Sequence, residues 1–344
     1  MAWNLGETSM ITTALWVAVA LIAIALIFDF TNGFHDAANA VATVVATKSL
    51  TPVQAVVKAA FFNVVIIFFI TFKVAATIGK GIVDPSAITL TVVFGCLAAA
   101  IAWNLITWWL GLPTSSSHAL IGGLVGAAVT AAGWNTVVYE GFRNILISIV
   151  AAPVIGFVLG TAINRGIRTF LPHGSENQNK WYHRLQIASS ALYSMGHGSN
   201  DAQKTAGIIF LILVASNMVP KSDPIPMWGI WLSFTAMGLG TLVGGWRIVD
   251  TMARKLTSLN PRQGFAANTG GSMMLFVASY LGIPVSTTHT IAGAIMGVGS
   301  SEPGSAVQWG KAGEIVTAWV LTIPCTAALG SIFYLGAQAL LEAS

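Results

Sequence analysis

The sequence predicts an all-α polytopic membrane protein made of two inverted-topology repeats, with broken helices, re-entrant hairpins and about 10–12 transmembrane segments. Composition supports the membrane assignment: charged residues are only 8% of the chain and hydrophobic residues 55%, with a mean hydropathy of +0.76. A soluble domain has roughly 25% charged residues. The duplication rests on one unusual phrase that occurs twice, at 110–118 and at 281–289, as LGLPTSSSH and LGIPVSTTH.

Ten apolar stretches, five in each half, account for the predicted membrane region. They are 11–30, 53–79, 86–111, 114–132, 143–164, 185–214, 227–246, 265–282, 285–299 and 312–340. Stretches 114–132 and 285–299 are short, rich in Gly and preceded by Pro, so each is a candidate re-entrant hairpin. Breaks are also expected around Asp36 and Asp201, where Gly and polar residues interrupt apolar sequence at membrane depth.

Charge placement predicts the topology. Two basic loops, 165–184 and 247–262, are assigned to the cytoplasmic side of the cell membrane by the positive-inside rule, and both termini then lie outside. The chain therefore divides into a first membrane repeat (1–164), a cytoplasmic connecting loop (165–184) and a second repeat (185–344). An odd number of crossings per repeat inverts the second relative to the first, which is a transporter architecture with its site near the midplane.

The duplicated Pro-Ser phrase is a candidate anion site. Pro is well suited to the first turn of a helix, and the hydroxyl residues that follow would crowd the helix N-terminus. Free N–H groups and the helix dipole favour an anion there. The alternative is ordinary capping with close helix packing. The candidate anion ligands are the hydroxyl residues of the two copies: Ser115, Ser116, Ser117, Ser286, Thr287 and Thr288.

Neither copy of this phrase contains Lys or Arg, so the anion's charge must be offset elsewhere. A second duplicated phrase supplies Asp36 and Asp201, which must pair with a cation, take a proton or face water at membrane depth. Asn39 lies close to one helical turn after Asp36, and oxygens of this kind suit a hard cation such as Na⁺. Backbone N–H groups binding a structural Asp are the alternative.

The two Asp phrases differ at two positions. Lys204 stands where the first copy has Asn39, and it is spaced to pair with Asp201 as a tethered cation. His35 stands where the second copy has Asn200, and a histidine can carry a proton near neutral pH; a neutral, hydrogen-bonded ring is the alternative. Asp29 and His197 have no repeat partner of like chemistry in the other half and are secondary candidates.

These phrases resemble the inorganic phosphate transporter (PiT) family, whose signature reads Gly-x-Asn-Asp-x-x-Asn-Ala in each half, with a Pro-Ser phrase downstream. The stretches 33–40 and 198–204 match it, each with a departure, and the resemblance covers nearly the whole chain. It implies an inverted-repeat fold, phosphate as substrate and cation-driven uptake. It also assigns Asp36, Asn39, Asn200 and Asp201 to the cation and phosphate site, and the six hydroxyl residues to phosphate.

The departures at His35 and Lys204 resemble the bacterial low-affinity branch of the family, which is proton-coupled and can carry divalent metal–phosphate complexes. We therefore expect H⁺ as the co-transported ion, with Na⁺ as the alternative, and no resident cofactor or metal. Transport of another oxyanion such as sulfate, a passive anion channel and an intramembrane phosphoester enzyme are competing functions. An enzyme is disfavoured because the Ser phrases lack Arg and form two half-sites. Expected partners are phosphate and the lipid bilayer, without nucleic acid; a homodimer is a candidate assembly.

Overall fold

The computed structural model describes residues 5–171, 176–302 and 307–343, and within these ranges it contains twelve α-helices and no β-strand. The first six helices are α1 (Leu5–Ala46), α2 (Pro52–Val65), α3 (Lys73–Lys80), α4 (Leu90–Leu110), α5 (Ser116–Ala132) and α6 (Tyr139–Phe170). The second six are α7 (Glu176–Ala215), α8 (Met227–Val243), α9 (Trp246–Asp250), α10 (Pro261–Leu281), α11 (Thr287–Ser300) and α12 (Trp309–Glu342). The predicted all-α class is confirmed.

Among the described residues, four helices are long and apolar enough to cross a membrane, namely α1, α4, α6 and α12. The bent pair formed by α8 and the segment 246–255, which meet at 63°, is a fifth candidate span. The chain is therefore a multi-pass membrane protein. Helices α5 and α11 are shorter, with 17 and 14 residues, and nearly all of their side chains are buried inside the protein.

The helices of the two halves correspond in order and in detail. In each half a long helix comes first, a 21-residue helix precedes a short buried helix, and a long helix with an internal proline comes last. Gly111 and Gly282 end the 21-residue helices at φ values of 66° and 74°. Glycine adopts this left-handed conformation without steric cost, and it turns the chain sharply into the Pro-Ser phrase.

The two halves interlock through their short helices. Helix α5 packs against α12 of the other half, and α11 packs against α6. The contacts are close because Gly126 lies directly against the backbone carbonyl of Ala327, and Gly297 lies against that of Phe157. A Cβ atom at either glycine would overlap the facing oxygen. Small residues of this kind let membrane helices approach closely.

One expectation about helix breaks was wrong. Helices α1 and α7 run without interruption through Asp36 and Asp201. The glycines that suggested a break instead serve close packing, since Gly33 lies against the carbonyl of Met237 and Gly198 against that of Asn63. The polar side chains are accommodated by contacts with other helices, so the backbone does not need to unwind. The chain is interrupted elsewhere, between α2 and α3 within the predicted stretch 53–79, and between α8 and α9.

The predicted connecting loop 165–184 is largely helical, because α6 continues to 170 and α7 begins at 176. Positions 172–175 lie outside the described residues, as do 1–4 and 344, so the predicted placement of the termini stays a prediction. The apolar stretches 143–164 and 185–214, on either side of this connection, lie within α6 and α7.

A charged cluster joins α6, α10 and the segment after α11 on the side of the basic loops. Arg262 donates to Glu302 Oε1 at 2.7 Å, Asn164 Nδ2 donates to the same oxygen at 2.8 Å, and Arg168 lies 3.6 Å from Oε2. Partial burial raises the pKa of Glu302, but these neighbours and Gln263 outweigh it and hold the pKa below its usual value.

Candidate functional site

The two motifs meet at the centre of the protein, where the middles of α1 and α7 face the N-termini of α5 and α11. Each Asp helix contacts the Pro-Ser phrase of the other half, so the site exists only when both halves are packed together. All twelve predicted site residues are at most 5% exposed. Sequence spacing alone could not have shown that each Asp helix contacts the Pro-Ser phrase of the other half, because these contacts depend on how the halves interlock.

The first hydroxyl of each phrase caps its helix. Ser115 Oγ accepts the backbone N–H of His118 at 3.2 Å, and Ser286 Oγ accepts that of His289 at 3.1 Å. These contacts are the capping that the sequence offered as the alternative role for the phrase. Ser116 is also buried, and its hydroxyl has no partner among the described residues, so it is available to a ligand at the end of α5.

Lys204 lies in a cage of oxygens built from three elements. Its ammonium nitrogen is 2.5 Å from Asp201 Oδ1, donates to the carbonyl of Val285 at 2.9 Å, and donates to Ser117 Oγ. A carboxylate, a hydroxyl and a backbone carbonyl are also the ligands that a hard cation takes in proteins. The sequence predicted that the Lys204 ammonium lies beside Asp201. The structure also brings this ammonium to Ser117, in the Pro-Ser phrase of the first half.

The corresponding contact from α1 of the first half to the Pro-Ser phrase of the second half uses the neutral amide of Asn39. Asn39 Nδ2 donates to Thr288 Oγ1 at 2.9 Å and to Thr287 Oγ1 at 3.4 Å. Thr288 in turn approaches Asp36 Oδ1 at 3.4 Å, and Thr287 donates to Asp201 Oδ2 at 2.8 Å. Thr288 corresponds to Ser117 in the duplicated phrase, so Asn39 and Lys204 contact equivalent positions with different charge.

His35 and Asn200 hold the flanks of the site. His35 Nδ1 is 2.7 Å from Asp36 Oδ1, and its Nε2 is 3.0 Å from Thr107 Oγ1 on α4. Asn200 binds the backbone before α11, donating to the carbonyl of Ile283 at 3.1 Å and accepting the N–H of Val285 at 3.2 Å. Both side chains therefore fix the position of neighbouring groups in this conformation.

Three groups at the centre have the chemistry and spacing to share one cation. Asp36, His197 and Asp201 each present a ligand atom, and these atoms lie within 4.8 Å of one another. His197 Nε2 is 3.2 Å from Asp201 Oδ2, while its Nδ1 is 3.2 Å from Asn63 Oδ1. The sequence ranked His197 low because it lacks a counterpart in the first half; its position one helical turn before Asp201 was the available signal.

Three cavities among the described residues are lined by none of the predicted site residues. A cavity of about 860 Å³ is a mainly apolar groove between α1, α4 and α12. Two smaller cavities, of about 430 and 360 Å³, lie beside α9 and contain basic side chains: Lys48, Arg247, Arg254 and Lys255. The candidate-site side chains are themselves buried, and the two cavities beside α9 lie next to the basic segment 247–255.

The family model described as "Phosphate transporter family" matches residues 32–176 and 171–330 of this chain. The chain belongs to the phosphate transporter family. A protein of Rhizobium meliloti (strain 1021) named "Probable low-affinity inorganic phosphate transporter" is 49% identical, covering 95% of this chain and 98% of that protein. A protein of Bacillus subtilis (strain 168) with the same name is 44% identical, covering 92% and 96%.

A solved structure titled "The sodium-dependent phosphate transporter" has the same fold. It superposes with a TM-score of 0.83 at 25% sequence identity, covering 94% of this chain and 99% of that one. The predicted membership of the PiT family is confirmed, and the members of this phosphate transporter family are not enzymes.

Proposed function

We propose that the protein imports inorganic phosphate across the cytoplasmic membrane by proton symport, with Lys204 in the place of one coupling cation. The observation that carries the proposal is the oxygen cage around its ammonium group, which joins Asp201, Ser117 and the carbonyl of Val285. A cation that is covalently part of the chain cannot be transported. A mobile cation must therefore move with phosphate. We choose the proton because, unlike a metal ion, it does not need a second cage of oxygen ligands.

The phosphate site lies between the N-termini of α5 and α11. Their free N–H groups and dipoles favour an anion, and Ser116 offers an unpaired hydroxyl there. Ser117, Thr287 and Thr288 bind Lys204, Asp201 and Asn39 in the enclosed state and would exchange some of these partners for phosphate oxygens. The ammonium of Lys204 then offsets part of the anion's charge.

The transport cycle follows from the arrangement of the halves. Hairpins α4–α5 and α10–α11 are re-entrant elements of two inverted repeats, and both termini lie outside. Each hairpin ends in a Pro-Ser phrase at the centre, and each is held by the last helix of the other half. Movement of one half against the other would open the site to one side at a time. The basic cavities beside α9 provide the inner exit.

A metal–phosphate complex is a second candidate substrate, favoured by one observation. Asp36, His197 and Asp201 can share a divalent cation next to the phosphate site. A metal carried with phosphate would be cargo bound by these groups. If the complex is the substrate, radiolabelled divalent metal enters vesicles together with phosphate, and His197→Ala reduces metal entry more than phosphate entry.

The deciding experiment is uptake of radiolabelled phosphate into proteoliposomes, with H⁺ and Na⁺ gradients imposed independently. Proton symport predicts accumulation above the outside concentration when only a pH gradient, acidic outside, is present. Uptake that needs a Na⁺ gradient and ignores the pH gradient would reject the proposal. Equilibration without accumulation under either gradient would identify a passive channel.

A further inference from the structure

Asp29 is a buried carboxylate that the phosphate site does not use. It lies on α1 with 0% of its surface exposed, and neither carboxylate oxygen has a hydrogen-bond partner among the described residues. Leaving a bare carboxylate at membrane depth costs at least about 2.5–3.5 kcal/mol on insertion scales. Such groups are retained where they bind a proton or an ion, or contact water.

The neighbours of Asp29 are also buried and unpaired. It lies beside Asn32 and Thr205, although neither contact has hydrogen-bond geometry. Asn32 Oδ1 and Thr205 Oγ1 likewise have no partner within the described part of the chain. Asn104 on α4 has neither side-chain atom bonded, and it precedes by one turn Thr107, which contacts His35. Buried polar groups are normally satisfied, so the unpaired atoms of Asp29, Asn32 and Thr205, and those of Asn104 near His35, are free to bind water or an ion.

We infer that these side chains follow one another as a polar file toward the central site, with Asn104 next to the contact between Thr107 and His35. Positions 29, 32 and 36 lie on one face of α1, and the rise of a helix separates Asp29 from Asp36 by about 10 Å. The file runs from the centre toward the N-terminal end of α1, which is the outer side in the proposed topology. Thr205 lies one turn after Asp201 on α7 and faces Asp29 from the opposite helix.

The charged surroundings favour a proton over a metal cation. The charged groups closest to Asp29 are Asp201 and Lys204 on α7, with His35 and Asp36 further along α1. Helices α4 and α8, which also pack against α1, contain no Asp, Glu, Lys, Arg or His. The ammonium of Lys204 repels a metal cation at Asp29, whereas the unpaired donor and acceptor atoms of Asn104 can hold water molecules that carry a proton.

We propose that Asp29 is the outer proton carrier of the transport cycle, an inference that rests on proton symport. Its carboxylate accepts a proton from hydronium on the outer side, forming an O–H bond and leaving water. It then releases that proton to water on the central side, next to Asp36. Asn32, Asn104 and Thr205 hold the water molecules along the file.

The test compares two assays on Asp29→Asn in proteoliposomes. One pH unit is about 1.36 kcal/mol, so one coupled proton sustains at most about tenfold phosphate accumulation across a one-unit gradient. The wild type should approach that ratio, whereas Asp29→Asn should only equilibrate. Exchange of labelled for unlabelled phosphate at equal pH on both sides needs no net proton transfer, so the variant should keep it within about twofold of wild type.

Asp84→Asn is the matched control, because Asp84 is an exposed carboxylate in the loop between α3 and α4. It should leave both assays unchanged. Full pH-driven accumulation by Asp29→Asn would overturn the inference, and so would loss of exchange in a folded variant. If Asp29→Asn does not fold, Thr205→Val should slow pH-driven uptake several-fold without slowing exchange, and unchanged uptake would refute the role.

The outcomes separate this inference from the proposed function. A wild type that ignores the pH gradient overturns both. A wild type driven by Na⁺, with Na⁺ stimulation lost in Asp29→Asn, replaces the proton carrier with a cation site. A wild type driven by the pH gradient, together with an equally driven Asp29→Asn, overturns the role of Asp29 alone.

Discussion

Replacing Lys204 with Asn tests most directly whether its ammonium stands for a coupling cation. The substitution gives the second half the side chain that Asn39 gives the first, and it removes the positive charge that binds Asp201 at 2.5 Å. Asp201 would keep the hydroxyl of Thr287 and its approach to His197, both neutral when the ring is unprotonated. The vacated cage would still contain a carboxylate, a hydroxyl and a carbonyl.

The expected loss is large because the pair is buried. Removing one partner of a buried ion pair costs about 3–5 kcal/mol, which corresponds to roughly a hundred- to a few thousand-fold at about 1.36 kcal/mol per factor of ten. If this cost falls on the phosphate-loaded state through which uptake passes, Na⁺-free, pH-driven phosphate uptake by Lys204→Asn falls by at least about 100-fold. Added Na⁺ should restore uptake in proportion to its occupancy of the vacated cage, whereas it should not stimulate the wild type.

The assay is the initial rate of phosphate uptake into proteoliposomes over a Na⁺ titration at fixed pH gradient. Lys58→Asn is the matched control, since Lys58 is a partly buried lysine on α2 that donates to the hydroxyl of Ser190 and has no role in the site. Uptake by Lys204→Asn within about tenfold of wild type without Na⁺ would refute the reasoning. Loss of uptake in a folded variant that Na⁺ does not restore would show that the ammonium is needed for itself.

Three further outcomes are expected. Asp36→Asn and Asp201→Asn should each abolish phosphate accumulation in the same vesicles, because both carboxylates contact the facing Thr hydroxyls of one shared site; accumulation by either variant would show that the halves act separately. Arsenate should inhibit uptake far more than sulfate, since arsenate keeps a hydroxyl that a carboxylate can accept while fully ionised sulfate is repelled; equal inhibition would contradict this. Because its folded-state pKa is lowered, Glu302 stabilises the protein above its ordinary pKa of about 4.3 and loses this contribution as the pH falls through the lowered value. Glu302→Gln should therefore reduce Tm in detergent at pH 7 but not in strongly acidic solution. An equal reduction at both pH values would show that the ionised carboxylate of Glu302 is not the source of the stabilisation.

Local features of the site were predictable from sequence because they lie within one helix. The three-residue spacing of Asp201 and Lys204 gives their ion pair, and Ser115 and Ser286 cap helices whose N-termini follow Pro-containing phrases. The contacts between Lys204 and Ser117 could not be predicted. They join residues on α7 and α5, so they depend on how the two halves pack, which a motif does not encode.

The expected helix breaks show a different limit of sequence reasoning. Glycine beside a buried Asp has two uses in a membrane, to free the backbone or to admit a neighbouring helix. Gly33 and Gly198 serve the second use, each against a carbonyl of another helix. Both uses place glycine next to a polar residue in the same part of an apolar stretch, so the sequence looks the same in either case. Only the position of the neighbouring helix distinguishes them. The unpaired state of Asp29 was equally hidden, because it depends on what α4 and α7 place opposite it.

Under the proposed function, the asymmetry between Asn39 and Lys204 is the feature that would let one scaffold couple to different ions. Both side chains reach equivalent hydroxyls across the interface of the halves, Thr288 and Ser117, so the exchange alters charge without altering the packing that holds the helices. The same fold belongs to a solved transporter whose title calls it sodium-dependent. An ammonium fixed in one cage leaves a single exchangeable charge to be supplied from outside. If that is so, restoring Asn at position 204 should move the chain toward sodium dependence without new contacts anywhere else.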